Sequence, residues 1–198
     1  MIDIDTLTCC QLLSDQGLSV LGLNMACPRN PGGGVKRGCF SQEENCFRRS
    51  NYFIALPKIS KFYPIPDNGC IYTKTITVIK DQKYQLLEKP FNVSMIACAA
   101  LRYPPMRSNG EYVKENDKRL MKHKIEQIFQ VALLNGHDCL VLGAFGCGAF
   151  GNNPVVVAEL FNEVIKQYYG CFKNITFAVL SYKDDNYNIF KQKIKTIY

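Results

Sequence analysis

The chain has 198 residues, 47% of them hydrophobic and 21% charged, and its 24 Lys and Arg outnumber 17 Asp and Glu for a formal charge of +7. That length holds one domain with a substantial core rather than two enzyme-sized ones, and the composition excludes a disordered chain. The positive balance favours anionic partners, and because it is spread along the chain, an anionic small molecule, a phosphate polymer and nucleic acid all stay open.

Residues 3–15 read as a polar entry and then a helix, with Asp5 or Thr6 as its cap, Leu7, Cys10 and Leu13 at helical spacing, and Gly17 as its stop. Residues 18–24 read as a buried strand that runs at once into a glycine-rich loop. Open α/β sheets bind ligands at such strand ends. The loop carries Gly32, Gly33 and Gly34, which let a backbone approach a ligand closely, and is followed by the adjacent carboxylates Glu43 and Glu44. Core packing asks for neither feature, since glycines cost entropy on ordering and neighbouring acids repel.

Residues 42–56 predict a second helix, with the acids at its start and Arg48 and Arg49 later. The plain role of such acids is to complement the helix dipole; the glycines beside them point to chemistry instead. Residues 57–69 predict a loop, because Pro57, Pro64, Pro66, Asp67, Asn68 and Gly69 supply turn chemistry. Strands are predicted over 71–80 and 91–100, with a polar turn over 81–89. Residues 101–110 form an irregular loop whose Arg102 and Arg107 are available to phosphate. A helix over 113–135 carries Ile125, Ile128, Phe129, Ala132 and Leu133 on one face and stops at Gly136. His123 falls among lysines on its other side and His137 shapes the following turn, so neither is assigned to catalysis.

A buried strand over 139–143 leads into a second loop with Gly143, Gly146, Gly148 and Gly151, then through Asn152 or Asn153 as cap and Pro154 into a helix ending near Gly170. Strand, glycine loop and helix start together make an anion site, because free N–H groups and the helix dipole point at the same place. Phe145 and Phe150 flank it, Phe145 as a core residue. A last strand over 174–181 and a short helix with Ile189, Phe190 and Ile194 close an alternating α/β order.

The ten cysteines sit in a chain whose start lacks a basic flank and an apolar signal core, which predicts reduced thiols and an intracellular protein. Cys98 and Cys139 lie in apolar runs as core residues. No Cys-x-x-Cys pair occurs and only two histidines are present, so no metal site is expected, and no apolar run approaches the roughly 20 residues that span a membrane. Residues 146–151 match the spacing of a dinucleotide fingerprint, yet the acid about 20 residues onward is missing, and no Gly-x-x-x-x-Gly-Lys-Ser/Thr occurs. The second loop is therefore a phosphate cradle of another fold.

The segment GGGVKRGCFSQEE, ending at Gln42, Glu43 and Glu44, resembles the signature of poly(ADP-ribose) glycohydrolases, and LNMACPRNPGGG, QEENCFRRS, YPIPDNGCIY and LVLGAFGCGAFGN are similar to the bacterial-type branch in the same order. That branch usually carries a longer N-terminal accessory region, whereas here the domain starts almost at once. The resemblance implies one macrodomain-like catalytic domain over 1–198, a three-layer α/β/α sandwich with a mixed central sheet and ADP-ribose at the strand ends. By matching positions, Glu44 would be the catalytic acid/base and Glu43 would hold the ribose. Asn24, Gly32, Gly33 and Gly34 would line the distal ribose site, with Gln42 alongside. Gly146, Cys147, Gly148 and Ala149 would wrap the diphosphate, Phe150 would place the terminal ribose, and Asp5 would read the adenine amino group.

Cleaving an O-glycosidic ribose bond passes through an oxocarbenium-like state, so a proton must reach the leaving oxygen and water must be activated. A carboxyl beside another carboxylate should have a raised pKa, act as the acid, and take the proton back from water. The resemblance implies that one glutamate plays both roles, with no metal or cofactor. The expected partners are ADP-ribose or poly(ADP-ribose) and ADP-ribosylated targets, nucleic acid only as a modified target and no membrane, and the protein is expected to act as a monomer. The alternatives are a hydrolase of mono-ADP-ribosylated protein or nucleic acid, and a non-catalytic ADP-ribose-binding module, against which the intact Gln-Glu-Glu argues.

Overall fold

The computed structural model describes residues 1–181 and 184–195, with all their side chains except those at 56 and 57. The aliphatic runs form strands β1 (Val20–Met25), β2 (Ile71–Lys80), β3 (Leu86–Cys98), β4 (Cys139–Leu142) and β5 (Asn174–Phe177), arranged β2-β3-β1-β4-β5. Only the β2–β3 pair is antiparallel, so the sheet is mixed as expected. The α-helices are α1 (Thr6–Ser14) before β1, α2 (Gln42–Arg49) and α3 (Tyr52–Ile59) between β1 and β2, α4 (Glu115–Leu134) between β3 and β4, α5 (Pro154–Gln167) between β4 and β5, and α6 (Asn186–Lys193) after β5.

Period-two alternation sorts the strands into two faces. Leu21, Leu23, Leu140 and Leu142 pack with residues of α4, α5 and α6. Val20, Met95, Cys139 and Val141 pack with α1 and α2 on the other side. Each such side chain, fully buried, contributes about 1.5–3 kcal/mol. Phe161, Phe177 and Phe190 lock α5, β5 and α6 together, with ring centroids 5.0–6.3 Å apart. Phe145, Cys98 and Cys139 are core residues, as read from the sequence.

Several boundaries differ from the sequence reading. The single helix expected over 42–56 is two, because the edge of β2 captures the residues between α2 and α3. Ser50 bridges to Val78, the Asn51 N–H donates to the Thr77 carbonyl at 3.0 Å, and the Ser50 hydroxyl donates to the Cys46 carbonyl at 2.7 Å. Residues 57–59 consequently belong to α3 rather than to a loop. Strand β3 starts at Leu86, not 91, since Leu86 pairs with Lys80; Pro90 is tolerated because it falls where the β2–β3 register is irregular. The last strand stops at Phe177, beyond which Ile2 pairs with Ala178. Asp5 is the cap of α1, accepting the N–H groups of Leu7 and Thr8 at 3.0 and 3.1 Å. Among the described residues no helix is long and apolar enough to cross a membrane.

Candidate active site

Gln42 opens α2 and fastens it to the end of β1. Its side-chain amide donates to the Leu23 carbonyl at 2.6 Å and to Thr6 Oγ1 at 3.1 Å, while its oxygen accepts the Met25 N–H at 2.9 Å. The sequence reading placed Gln42 on the substrate; its amide is taken up by the protein, which makes it a positioning residue. The next two side chains are thereby delivered to the strand end.

Both are buried. Glu43 accepts the N–H of Cys27 on Oε2 at 2.7 Å and the N–H of Gly32 on Oε1 at 3.0 Å. Glu44 accepts the N–H of Gly34 on Oε1 at 2.7 Å and the Ser41 hydroxyl on Oε2. Ser41 stands at the N-cap of α2 yet makes no capping bond; its hydroxyl goes to Glu44 instead.

The glycines serve the acids directly, where the sequence suggested an approach to ligand. At Gly33, φ is +57°, and a Cβ would lie 2.5 Å from Glu44 Oε1 and 2.9 Å from Glu43 Oε2. At Gly34 a side chain would overlap Cys39. A Gly33→Ala variant is therefore expected to displace Glu44, lowering turnover by roughly 10²-fold and stability by about 1–3 kcal/mol; kcat and urea denaturation measured together check it.

Burial pushes the Glu43 carboxyl up to about 8; the Cys27 N–H opposes the shift and the neighbouring Glu44 adds to it. The upward shift expected for the proton-transferring acid is thus found on Glu43. Around Glu43 stand Asn24, Tyr52 and Tyr63. The amide of Asn24 is completely buried beside Glu43 and the Tyr52 hydroxyl, short of hydrogen-bond geometry, and neither of its polar atoms has a partner. Leaving such an amide unmet costs about 1–3 kcal/mol. Tyr52 bonds to Thr73 Oγ1 at 3.1 Å, and burial with Glu43 nearby pushes the Tyr63 phenol well up. Both tyrosines escaped the sequence reading. Only the YPIPDNGCIY segment, which contains Tyr63, carried a signal.

The second loop leaves β4, which pairs with β1 in the sheet, and a Cβ on Gly143 would lie 3.2 Å from the Met25 side chain at the strand ends. Asn152 braces the loop by donating to the carbonyls of Leu101 (2.7 Å) and Gly146 (3.0 Å) and accepting the Tyr112 hydroxyl (2.8 Å). Asn153 caps α5, and Pro154 is its first residue. Gly146 has φ +74° and no room for a side chain against Ala100. Among the described residues no acceptor meets the N–H groups of Gly148, Ala149 and Phe150. Cys147 faces inward, its thiol 3.6 Å from the Phe145 carbonyl and raised by burial, so it offers backbone rather than sulfur. The Phe150 carbonyl accepts the Tyr103 N–H at 2.8 Å, and Arg102 lies 5.4 Å from the Tyr103 ring, which brings Arg102 to this loop. Arg107 instead closes a turn with Gly110.

Asp5 is drawn into a different task. Besides capping α1 it accepts the Thr8 hydroxyl at 2.6 Å and pairs with buried Arg49 at 2.5 Å, which occupies most of the carboxylate read as an adenine contact. Two shallow concavities, of about 300 and 460 Å³, contain neither acid: one surrounds His137 and Ser19, the other lies beside Arg48 and Tyr84. Among the described residues no three His, Cys, Asp or Glu side chains are grouped as metal ligands. All ten cysteines are free.

The family model described as "Microbial-type PARG, catalytic domain" matches residues 1–81. A comparison with curated protein sequences returns no match. Among solved structures, poly(ADP-ribose) glycohydrolase from Thermomonospora curvata superposes with a TM-score of 0.86 at 30% identity, over 97% of this chain and 74% of that one. The chain belongs to the poly(ADP-ribose) glycohydrolase family. The Thermomonospora protein bound to the inhibitor ADP-HPD gives a TM-score of 0.86 at 29% identity, covering 98% of this chain and 77% of that one. Poly(ADP-ribose) glycohydrolase from Deinococcus radiodurans in complex with ADP-ribose gives 0.83 at 27%, covering 96% and 81%. The likeness to poly(ADP-ribose) glycohydrolases supports the macrodomain-like fold expected from the sequence, with helices on both faces of a mixed five-stranded sheet. The matched segment 1–81 contains Asn24, the glycine loop and both acids, whereas the second loop lies outside it.

Proposed function

We propose that the protein is a poly(ADP-ribose) glycohydrolase that cleaves the O-glycosidic ribose–ribose bond and releases ADP-ribose, with the chain acting as one catalytic domain. The carrying observation is the Glu43–Glu44 pair, held at the end of β1 by three N–H groups and one hydroxyl. Glu44 protonates the leaving oxygen as positive charge grows on the ribose, then accepts the proton of the attacking water. Glu43 holds its own proton to about pH 8, so it adds little negative charge beside Glu44, and with the unpaired amide of Asn24 it places the ribose hydroxyls. The open N–H groups of Gly148, Ala149 and Phe150 favour the diphosphate. The diphosphate helps stabilise the ribosyl cation. Incubation with poly(ADP-ribosyl)ated and singly ADP-ribosylated proteins tests this: ADP-ribose release from the polymer supports the reading, and none from any substrate sinks it.

The raised Glu43 pKa also sets a pH dependence of stability. Between its ordinary value of 4.5 and about 8, the unfolded chain has lost this proton while the folded one keeps it. The unfolded state then binds fewer protons, so this group's contribution falls with rising pH through that window and is flat above it. The full shift corresponds to about 5 kcal/mol. In urea denaturation, wild type should exceed Glu43→Gln most near pH 5, and the gap should narrow toward pH 8.5. A constant gap would refute the shift.

A further inference from the structure

The segment between the glycines and the acids is tethered at both ends to one carboxyl. Gly34 donates its N–H to Oε1 of Glu44, and Ser41 donates its hydroxyl to Oε2. Between these two anchors Lys36, Arg37, Gly38, Cys39 and Phe40 are all exposed. Gly38, at φ +77°, turns the chain sharply after Arg37. Phe40 is 77% exposed, and its ring does not hang free: the Arg48 guanidinium lies 4.5 Å from the ring centroid. Arg48 is itself anchored, donating to the Val35 carbonyl at 3.2 Å and the Cys39 carbonyl at 2.5 Å. A flat apolar face is thus held in place beside two free-standing cations, next to the carboxyl assigned to proton transfer.

We propose that residues 36–40 are a docking site for the unit of the polymer that departs, resting on the glycohydrolase reading above. The oxygen that leaves belongs to the adenosine ribose of the preceding unit, so adenine and then a diphosphate emerge on the side of Glu44. The Phe40 ring stacks on that adenine, and Lys36 and Arg37 meet the diphosphate. Aromatic stacking and phosphate contacts of this kind are tolerant of sequence and strongly salt-dependent. The site engages a chain of at least two units and is not filled by free ADP-ribose.

The test uses binding, so that it stands apart from turnover. In a Glu44→Gln background, affinities for purified poly(ADP-ribose), for free ADP-ribose and for singly ADP-ribosylated protein are measured by calorimetry, with and without Phe40→Ala, Phe40→Tyr, or Lys36→Ala with Arg37→Ala. Phe40→Ala should weaken polymer binding about tenfold and leave ADP-ribose binding within about twofold. Phe40→Tyr should restore the polymer affinity, and the double lysine–arginine replacement should flatten its salt dependence. Equal loss for polymer and ADP-ribose, or no loss for either, overturns the proposal. So does a loss confined to singly ADP-ribosylated protein, which would assign the loop to the attached target. Failure of the glycohydrolase reading shows separately, as no release of ADP-ribose by wild type while the binding difference persists.

Discussion

Glu44→Gln is expected to lower ADP-ribose release from poly(ADP-ribose) by about 10²–10⁴-fold, the usual worth of a positioned acid/base, while the protein stays folded. The structure makes this replacement unusually clean. Oε1 of Glu44 accepts a fixed backbone N–H from Gly34, which a Gln oxygen can accept equally well. Oε2 faces the Ser41 hydroxyl, which can rotate to accept from the new amide instead of donating. Both contacts survive and only the transferable proton is lost, so ADP-ribose affinity should change by less than about threefold. The neighbouring acid behaves differently. Both oxygens of Glu43 face backbone N–H groups, and neither Cys27 nor Gly32 can reverse. Glu43→Gln turns a donor toward a donor at one of them, costing about 1–3 kcal/mol. Unchanged turnover in Glu44→Gln would remove Glu44 from the chemistry.

The same asymmetry explains what could be read in the sequence. The two glycine loops, the strands that deliver them and the acids at the start of a helix were legible, because each depends on neighbours a few residues away. Gly136, Asn153 and Pro154 act where local rules put them. What failed was decided by distant partners. Nothing near Ser50 shows that β2 will pull residues 50–51 out of a helix. The family resemblance puts Gln42 beside the substrate, and only the fold reveals that Leu23, Thr6 and Met25 take up its amide. The glycine run by itself suggests close approach to a ligand, but the space above Gly33 belongs to the carboxylates themselves. Tyr52 and Tyr63 reach Glu43 from a helix and a loop that have no spacing relation to it.

Asp5 is the residue whose two readings diverge most, and its removal should be the most destabilising change considered. Arg49 is 3% exposed, and its guanidinium also donates to the Lys80 carbonyl at 3.1 Å and to Asn45 Oδ1 at 3.1 Å. These contacts fix its place without cancelling its charge; Asp5, at 2.5 Å, does that. Asp5→Ala strands a buried cation, which costs about 3–5 kcal/mol, and also removes the α1 cap, typically about 1 kcal/mol. Against a total stability of about 5–15 kcal/mol, the melting temperature should fall by about 10 °C or more. A single replacement cannot separate fold from ligand, but a pair can. With Arg49→Met added, the stranded charge disappears and an apolar chain fills its place, which should recover much of the stability. If Asp5 served the fold, ADP-ribose affinity returns with it; if Asp5 read the adenine, the refolded double variant still binds weakly. Calorimetric titration of the double variant decides, and Asp5→Ala melting at the wild-type temperature would refute the buried pair as a determinant of stability.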